Sequence, residues 1–252
     1  MKTKIALITG GSRGLGKNMA LHLAENGHDV IITYHTNKEA AFEVVATIEK
    51  LGLKAAALQL NVNQISSLNQ FIVDVTTVLK EKWHTATFDF LINNAGVGAT
   101  IPYLDATEAD FDRLMNIHFK SVYFLTQKAL PIMNDNGRII NISSGTTRFC
   151  NPGYSIYASM KGAIETFTRY VAKEVGPRGI TANVIAPGPI ETDFNNAAIR
   201  SNSQLKERLS TMTALGRVGE ANDIGGIVAF LCSNEGYWIN GQRIEASGGI
   251  SL

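Results

Sequence analysis

The sequence predicts a doubly wound α/β fold: about seven parallel strands with helices packed on both faces of the sheet. Short β-branched runs alternate with longer amphipathic stretches along the whole chain, and alternation at that spacing implies a parallel sheet crossed by helices. The runs themselves, such as Phe90-Leu91-Ile92, are apolar at consecutive positions, as strands covered on both faces must be. No composition shift, repeat or low-complexity tract divides the 252 residues, so a single domain over 1–252 is expected.

The elements follow in order. Residues 4–9 form the first strand, which runs into Thr9-Gly10-Gly11-Ser12-Arg13-Gly14-Leu15-Gly16 and a helix over 14–26. Glycines let such a turn fold tightly and come close to a ligand. The helix that follows offers free backbone N–H groups and a positive dipole end, which suit a pyrophosphate. A strand at 29–34 and a helix at 38–51 come next, then a strand at 54–60 and a helix at 64–82. The strand at 88–92 ends in Asn93-Asn94-Ala95-Gly96 and leads to a long helical pattern over 107–133. A strand at 137–143 carries Ser143-Ser144 at its end, before a helix at 154–175 and a strand at 179–186. After Pro187-Gly188-Pro189 the segment 188–216 is polar and rich in Asn and Ser. It reads as a mobile lid over a site or as a surface loop with a short helix. A helix at 221–233 and a strand at 241–245 complete the pattern.

Composition narrows the function. Hydrophobic side chains make up 45% and charged ones 18%, and the formal net charge is +1. No block of like charges appears, which excludes a nucleic-acid or membrane-surface partner as the expectation. There is no basic-then-apolar leader and no apolar run long enough to span a bilayer, so a cytoplasmic protein is expected. Cys150 and Cys232 cannot build a disulfide framework, and His22, His28, His35, His84 and His118 form no spaced cluster; no metal is expected. His118 and both cysteines read as structural.

Tyr157 and Lys161 stand four apart in a helical stretch, so both project from one face. A phenol is a poor acid or base at neutral pH because its unperturbed pKa is near 10. A nearby ammonium favours the phenolate, bringing the phenol towards a pKa useful for proton transfer. Ser144 lies upstream at a strand end and Asn116 earlier still.

Together these landmarks resemble the short-chain dehydrogenase/reductase family, in its compact single-domain branch with a Rossmann-type sheet. The glycines are spaced Gly-x-x-x-Gly-x-Gly. Asn93-Asn94-Ala95-Gly96, Asn116, Ser144, the Tyr157/Lys161 pair and Pro187-Gly188-Pro189-Ile190-Glu191-Thr192 follow in family order from residue 3 to about 250. The comparison runs to 3-oxoacyl-[acyl-carrier-protein] reductases and related carbonyl reductases. The resemblance implies an NAD(P)-dependent oxidoreductase acting on CH–OH groups. Tyr157 would donate the proton, Lys161 would lower its pKa and hold the nicotinamide ribose, and Ser144 would bind the substrate oxygen. Asn116 would hold a water linking Lys161 to solvent. Ser143, the near rival of Ser144, would support the strand end or the cofactor.

For the cofactor, Gly10, Ser12, Arg13, Gly14, Leu15 and Gly16 form the phosphate turn. An NAD site places Asp or Glu at the end of the second strand, whereas this chain reads Thr33-Tyr34-His35-Thr36-Asn37-Lys38. Hydroxyl, amide and cationic groups can bind a 2′-phosphate that a carboxylate would repel, so His35, Thr36, Asn37 and Arg13 favour NADP(H) over NAD(H). By resemblance, Asn61 and Val62 flank the adenine, with Asn61 where relatives carry Asp. Asn93, Ala95 and Gly96 line the ribose and centre of the cofactor, and Pro187, Gly188, Ile190 and Thr192 hold its nicotinamide end. Phe149, Tyr154 and Phe194 line an apolar substrate pocket or belong to the core. The expected substrate is a 3-oxoacyl thioester on acyl carrier protein; a small ketone, sugar or cyclic alcohol is the alternative. A regulator that binds NADP(H) without turnover is the reading from another class. Pairing through 107–133 and 154–175, which carry Phe119, Phe124 and Phe167, would give a homodimer or homotetramer.

Overall fold

The computed structural model describes residues 3–252. The first half runs β1 (Ile5–Ile8), α1 (Gly14–Glu25), β2 (Asp29–Tyr34), α2 (Lys38–Lys50), β3 (Ala55–Gln59), α3 (Leu68–Trp83) and β4 (Phe88–Asn93). The second half runs α4 (Glu108–Met115), α5 (Ser121–Ala129), β5 (Met133–Ile142), α6 (Ser155–Val175) and β6 (Thr181–Pro187). It ends with α7 (Phe194–Ser201), α8 (Ser203–Thr211), α9 (Asn222–Cys232) and β7 (Arg243–Ala246). The seven strands form one sheet in the order β3-β2-β1-β4-β5-β6-β7, every neighbouring pair parallel. Strand order reverses between β1 and β4, and at such a switch point the carboxyl ends of the strands open a crevice.

Because strand side chains alternate between faces, the sheet divides the interior into two cores. Ala6, Ile8, Val30, Ile32, Phe90 and Ile92 pack beneath α1, α2 and α9. Ile5, Leu7, Ile31, Leu91 and Ile139 pack on the other side with α3, α5 and α6. This is the expected doubly wound architecture.

Two segments differ from the sequence expectation. The pattern over 107–133 is not one regular helix: α4 and α5 are joined by a π-helical turn, Asn116–Lys120. Pro131 then ends the helix in a short 3₁₀ turn, Leu130–Ile132, since proline lacks the amide that the next turn needs. β5 accordingly begins at Met133, paired with Phe88, and a register shift between Phe88 and Phe90 brings Arg138 opposite Phe90. The segment 188–216 holds two short helices, α7 and α8, the first entered through left-handed Asn195, Asn196 and Ala197.

Candidate active site

The glycine turn lies at the switch point and is laced to both neighbouring strands. The Gly10 and Gly11 amides donate to Thr33 of β2, to its Oγ1 at 3.0 Å and its carbonyl at 2.8 Å. Thr9 Oγ1 accepts from the Asn94 and Ala95 amides at 2.9 and 3.0 Å, and Asn94 Nδ2 donates to the Thr9 carbonyl at 2.8 Å. A Cβ on Gly16 would stand 2.1 Å from the Gly10 carbonyl oxygen, so only glycine lets α1 start against this turn. Gly10 and Gly14 have φ of +68° and +54°, a region glycine occupies without strain. Among the described residues no side chain caps the first turn of α1, and no acid sits in it. Its dipole end is left to an anion.

The cofactor residues named from sequence spread along this crevice. Arg13 is exposed and forms no ion pair among the described residues. His35, Thr36 and Asn37 are exposed beyond β2. The Asn37 side chain is engaged, accepting from the Ala40 amide at 3.0 Å as the cap of α2. Asn61 likewise accepts from the Asn63 amide at 3.1 Å, and Val62 packs on the core. Ala95 and Gly96 lie beyond β4, half-buried and exposed. Pro187 ends β6, and the Gly188 amide donates to Ala246 at 3.0 Å. Ile190 bridges Gly219, and the buried Thr192 has its Cβ 3.7 Å from where a Cβ of Gly14 would stand. This loop therefore meets the glycine turn across the crevice. The donor set and the glycine cradle fit a dinucleotide.

Asn93, the last residue of β4, turns its side chain away from the crevice. Its amide is buried and donates inward to Asn141 Oδ1 at 2.8 Å and Thr126 Oγ1 at 3.1 Å. Strand parity explains this: Asn93 shares a face with Leu91, towards α5, while Asn94 turns to the crevice. Thr9, Thr33 and Asn94 are the residues that sequence reasoning missed, and the same alternation would have pointed to Asn94.

The second half of the site lies at the ends of β5 and α6. Apolar positions recur along α6 at helical spacing, and the same buried face carries Ile156, Tyr157, Met160, Lys161 and Ile164. Lys161 Nζ donates to the Ile142 carbonyl at 2.7 Å and lies 5.7 Å from the centre of the Tyr157 ring. Ser144 Oγ, just past β5, accepts from the Thr146 amide at 3.2 Å. Ser143 is buried and donates to Glu165 at 2.7 Å, so it ties the strand end to α6.

Burial pushes the Tyr157 phenol up to about 12, against the opposing hydrogen bond of the Ser144 hydroxyl. The expected depression by Lys161 is absent. Burial also pulls the lysine down to about 8, and its ammonium is spent on Ile142. At neutral pH burial therefore keeps Tyr157 a protonated phenol.

Around Tyr157 stand three rings: Tyr154 at 6.2 Å, Phe194 at 6.3 Å and, edge-on, His118 at 5.0 Å between ring centres. His118 is 1% exposed, whereas Asn116, half-buried, makes no side-chain hydrogen bond among the described residues. Phe149 packs where a Cβ of Gly145 would be, 2.5 Å from its Cζ. Among the described residues no group of three His, Cys, Asp or Glu side chains could hold a metal, and no helix is long and apolar enough to cross a membrane.

The family model described as enoyl-(acyl carrier protein) reductase matches residues 10–251. The chain is 35% identical to the short chain dehydrogenase mdpC of Emericella nidulans, over 100% of this chain and 96% of that one. The chain belongs to the short-chain dehydrogenase/reductase family. As a member it is an NAD(P)-dependent oxidoreductase. It is also 36% identical to the 3-oxoacyl-[acyl-carrier-protein] reductase FabG of Staphylococcus aureus strain Mu50, over 99% of each chain. Among solved structures it superposes on the angucycline C-6 ketoreductase LanV with bound NADP. That match has a TM-score of 0.94 and 38% identity and covers 99% of this chain and 96% of LanV.

Proposed function

We propose that this short-chain dehydrogenase/reductase is an NADP(H)-dependent carbonyl reductase, turning a ketone into a secondary alcohol and running the reverse oxidation. One observation carries the reading: the buried Tyr157 phenol and the Ser144 hydroxyl converge at the crevice, with Lys161 one helical turn away on the same buried face. Reduction of a carbonyl leaves an oxyanion that must be stabilised and protonated. Tyr157 gives up its proton to that oxygen, and Ser144 hydrogen-bonds it and holds it in line. When bound, NADPH would supply the hydride. Gly10, Ser12, Gly14, Leu15 and Gly16 cradle its pyrophosphate with backbone amides. Arg13, His35 and Thr36 take the 2′-phosphate, Ala95 and Gly96 line its centre, and Ile190 and Thr192 hold the carboxamide end. The lack of a carboxylate at residues 33–38 and the NADP in the LanV structure support this choice of cofactor.

For the substrate, the similarity to FabG supports a 3-oxoacyl thioester. A second reading has its own support. Tyr154 and Phe194 stand beside Tyr157 as aromatic rings, which suit a flat cyclic ketone, and the angucycline ketoreductase is a relative in structure. Residues 188–216 act as the lid: a Cβ on Gly98 would stand 2.6 Å from that of Asn195, and Asn195 reaches the Tyr154 hydroxyl at 3.5 Å. Self-association runs through the face of α5 and α6, where Tyr123 and Tyr170 are exposed beside half-buried Phe119, Phe124 and Phe167, and the protein works in the cytoplasm. Sedimentation tests the assembly.

The decisive experiment follows NADPH absorbance with 3-oxoacyl thioesters, cyclic ketones and 2-enoyl thioesters, for the wild type and Tyr157→Phe. General acid catalysis contributes about 10²–10⁴-fold, so Tyr157→Phe should lose that much while still binding NADPH. Undiminished turnover in the variant refutes the assignment of the proton donor, and the order of kcat/KM across the panel chooses between the substrates.

A further inference from the structure

His118 stands in the π turn that breaks the helix between α4 and α5, and that turn packs against α6. Its Nε2 lies 2.9 Å from the Val97 carbonyl oxygen. A carbonyl can only accept, so Nε2 carries the hydrogen, and Nδ1 of the neutral ring is left as a bare acceptor. Nδ1 is buried and has no partner among the described residues. Buried acceptors are nearly always satisfied, so this one calls for a donor that comes from outside the chain. The space in front of it is kept clear by Gly96, where a Cβ would lie 3.3 Å from Nδ1 and 2.9 Å from Cε1. The ring edge meets Tyr157 at 84° and 5.0 Å. Burial holds His118 well below its ordinary pKa and the Lys161 charge adds to this, which keeps the ring neutral and Nδ1 an acceptor.

We infer that His118, and not Asn116, is the residue of this helix that serves the reacting centre. It is a positioning residue that braces the Tyr157 ring and accepts, at Nδ1, a hydrogen bond from a hydroxyl or water beside Lys161. The inference rests on the carbonyl-reductase reading for its consequence in turnover, but not for the hydrogen bond itself. Its Val97 contact also ties the segment after Asn94-Ala95-Gly96 to the helix, so one side chain couples the cofactor side of the crevice to the tyrosine.

The test joins spectroscopy with kinetics. In protein labelled with ¹⁵N-histidine, the Nδ1 resonance of His118 is assigned by its loss in His118→Asn and followed in the free protein and with NADP⁺. A hydrogen-bonded Nδ1 in the free protein identifies a resident water as the donor. An upfield shift on adding NADP⁺ identifies a hydroxyl or water delivered with the coenzyme. An unbonded Nδ1 in both states overturns the inference, whether or not any ketone is reduced. In turnover, His118→Leu should lower kcat about 100-fold, the cost of a misplaced reacting group, with KM for NADPH within about twofold. His118→Asn, which keeps one donor and one acceptor, should recover most of the loss, and Asn116→Ala should cost far less than His118→Leu. Equal losses in the leucine and asparagine variants, or a larger loss in Asn116→Ala, overturn the positioning role. If the leucine variant does not fold, the resonance decides.

Discussion

Replacing Lys161 with Met removes a buried ammonium, and the effect on stability has a definite dependence on pH. The lysine is 6% exposed, and burial brings its pKa from 10.5 to about 8. The folded-state value lies below the unfolded one. Between them the unfolded chain binds a proton that the folded chain does not, so stability rises with pH across that window. Below about 8 both states are charged and the fold bears the whole cost of burial. The gap from 10.5 to about 8 corresponds to ~3 kcal/mol at 1.36 kcal/mol per unit. Of this, ~2 kcal/mol should be regained between about pH 7 and about pH 9.5. Tyr157 has the opposite sign, since its pKa is raised to about 12, but its loss of stability begins only above the ordinary phenol value near 10. The assay is urea unfolding of wild type and Lys161→Met without coenzyme at several pH values. The unfolding free energy of the wild type minus that of the variant should climb by ~2 kcal/mol over that range. A difference that stays flat to within ~0.5 kcal/mol, about the error of such extrapolations, would mean that the ammonium is not desolvated and that the account of its pKa is wrong.

Two further outcomes concern the cofactor side. Gly16→Ala forces a Cβ to within 2.1 Å of the Gly10 carbonyl oxygen and 2.6 Å of Asn94 Nδ2. Overpacking of this kind costs ~1–3 kcal/mol or more, so thermal melting should fall and NADPH binding by fluorescence should weaken at least tenfold. On the proposed role of Arg13, Arg13→Ala would remove one charge-assisted contact to the 2′-phosphate, worth ~1.5–3 kcal/mol. kcat/KM for NADPH should drop about 10- to 100-fold with a far smaller change for NADH, and a preference for NADH in the wild type would refute the choice of cofactor.

Much of this architecture was legible in the sequence because it follows from periodicities that local chemistry imposes. Ile5 and Leu7 against Ala6 and Ile8 announce a strand covered twice, and the four-residue spacing of Tyr157 and Lys161 announces a shared helix face. The glycine turn was legible for the same reason, since its context is purely local. At Asn93 parity settles which way the side chain faces, which the motif alone does not record: the strand continues through it, and the alternation assigns its amide to the interior. Thr33 escaped notice because its role is to hold the turn of a neighbouring strand, a tertiary contact that no local pattern records. The direction of the Tyr157 shift was out of reach for a related reason. Spacing brings Lys161 near, but only the fold reveals that the Ile142 carbonyl takes its ammonium.

The broken helix shows where such reasoning stops. An α-helix turns about 100° per residue, so Asn116 and His118, two apart, point about 200° apart and cannot serve the same neighbour. Which of them faces Tyr157 depends on the phase with which the helix arrives. The π turn at Asn116–Lys120 adds a residue to one turn and so shifts the phase of everything after it, with no proline or glycine inside it to announce the change. Such single-turn bulges recur at functional sites, and here the bulge puts an imidazole against the phenol while the Asn116 amide is left without a partner among the described residues. The two halves of the site are thus held by different means. The cofactor half depends on bare backbone and small residues, so substitutions there should act on affinity. The reacting half depends on burial of Tyr157, Lys161 and His118, so substitutions there should act on protonation and turnover.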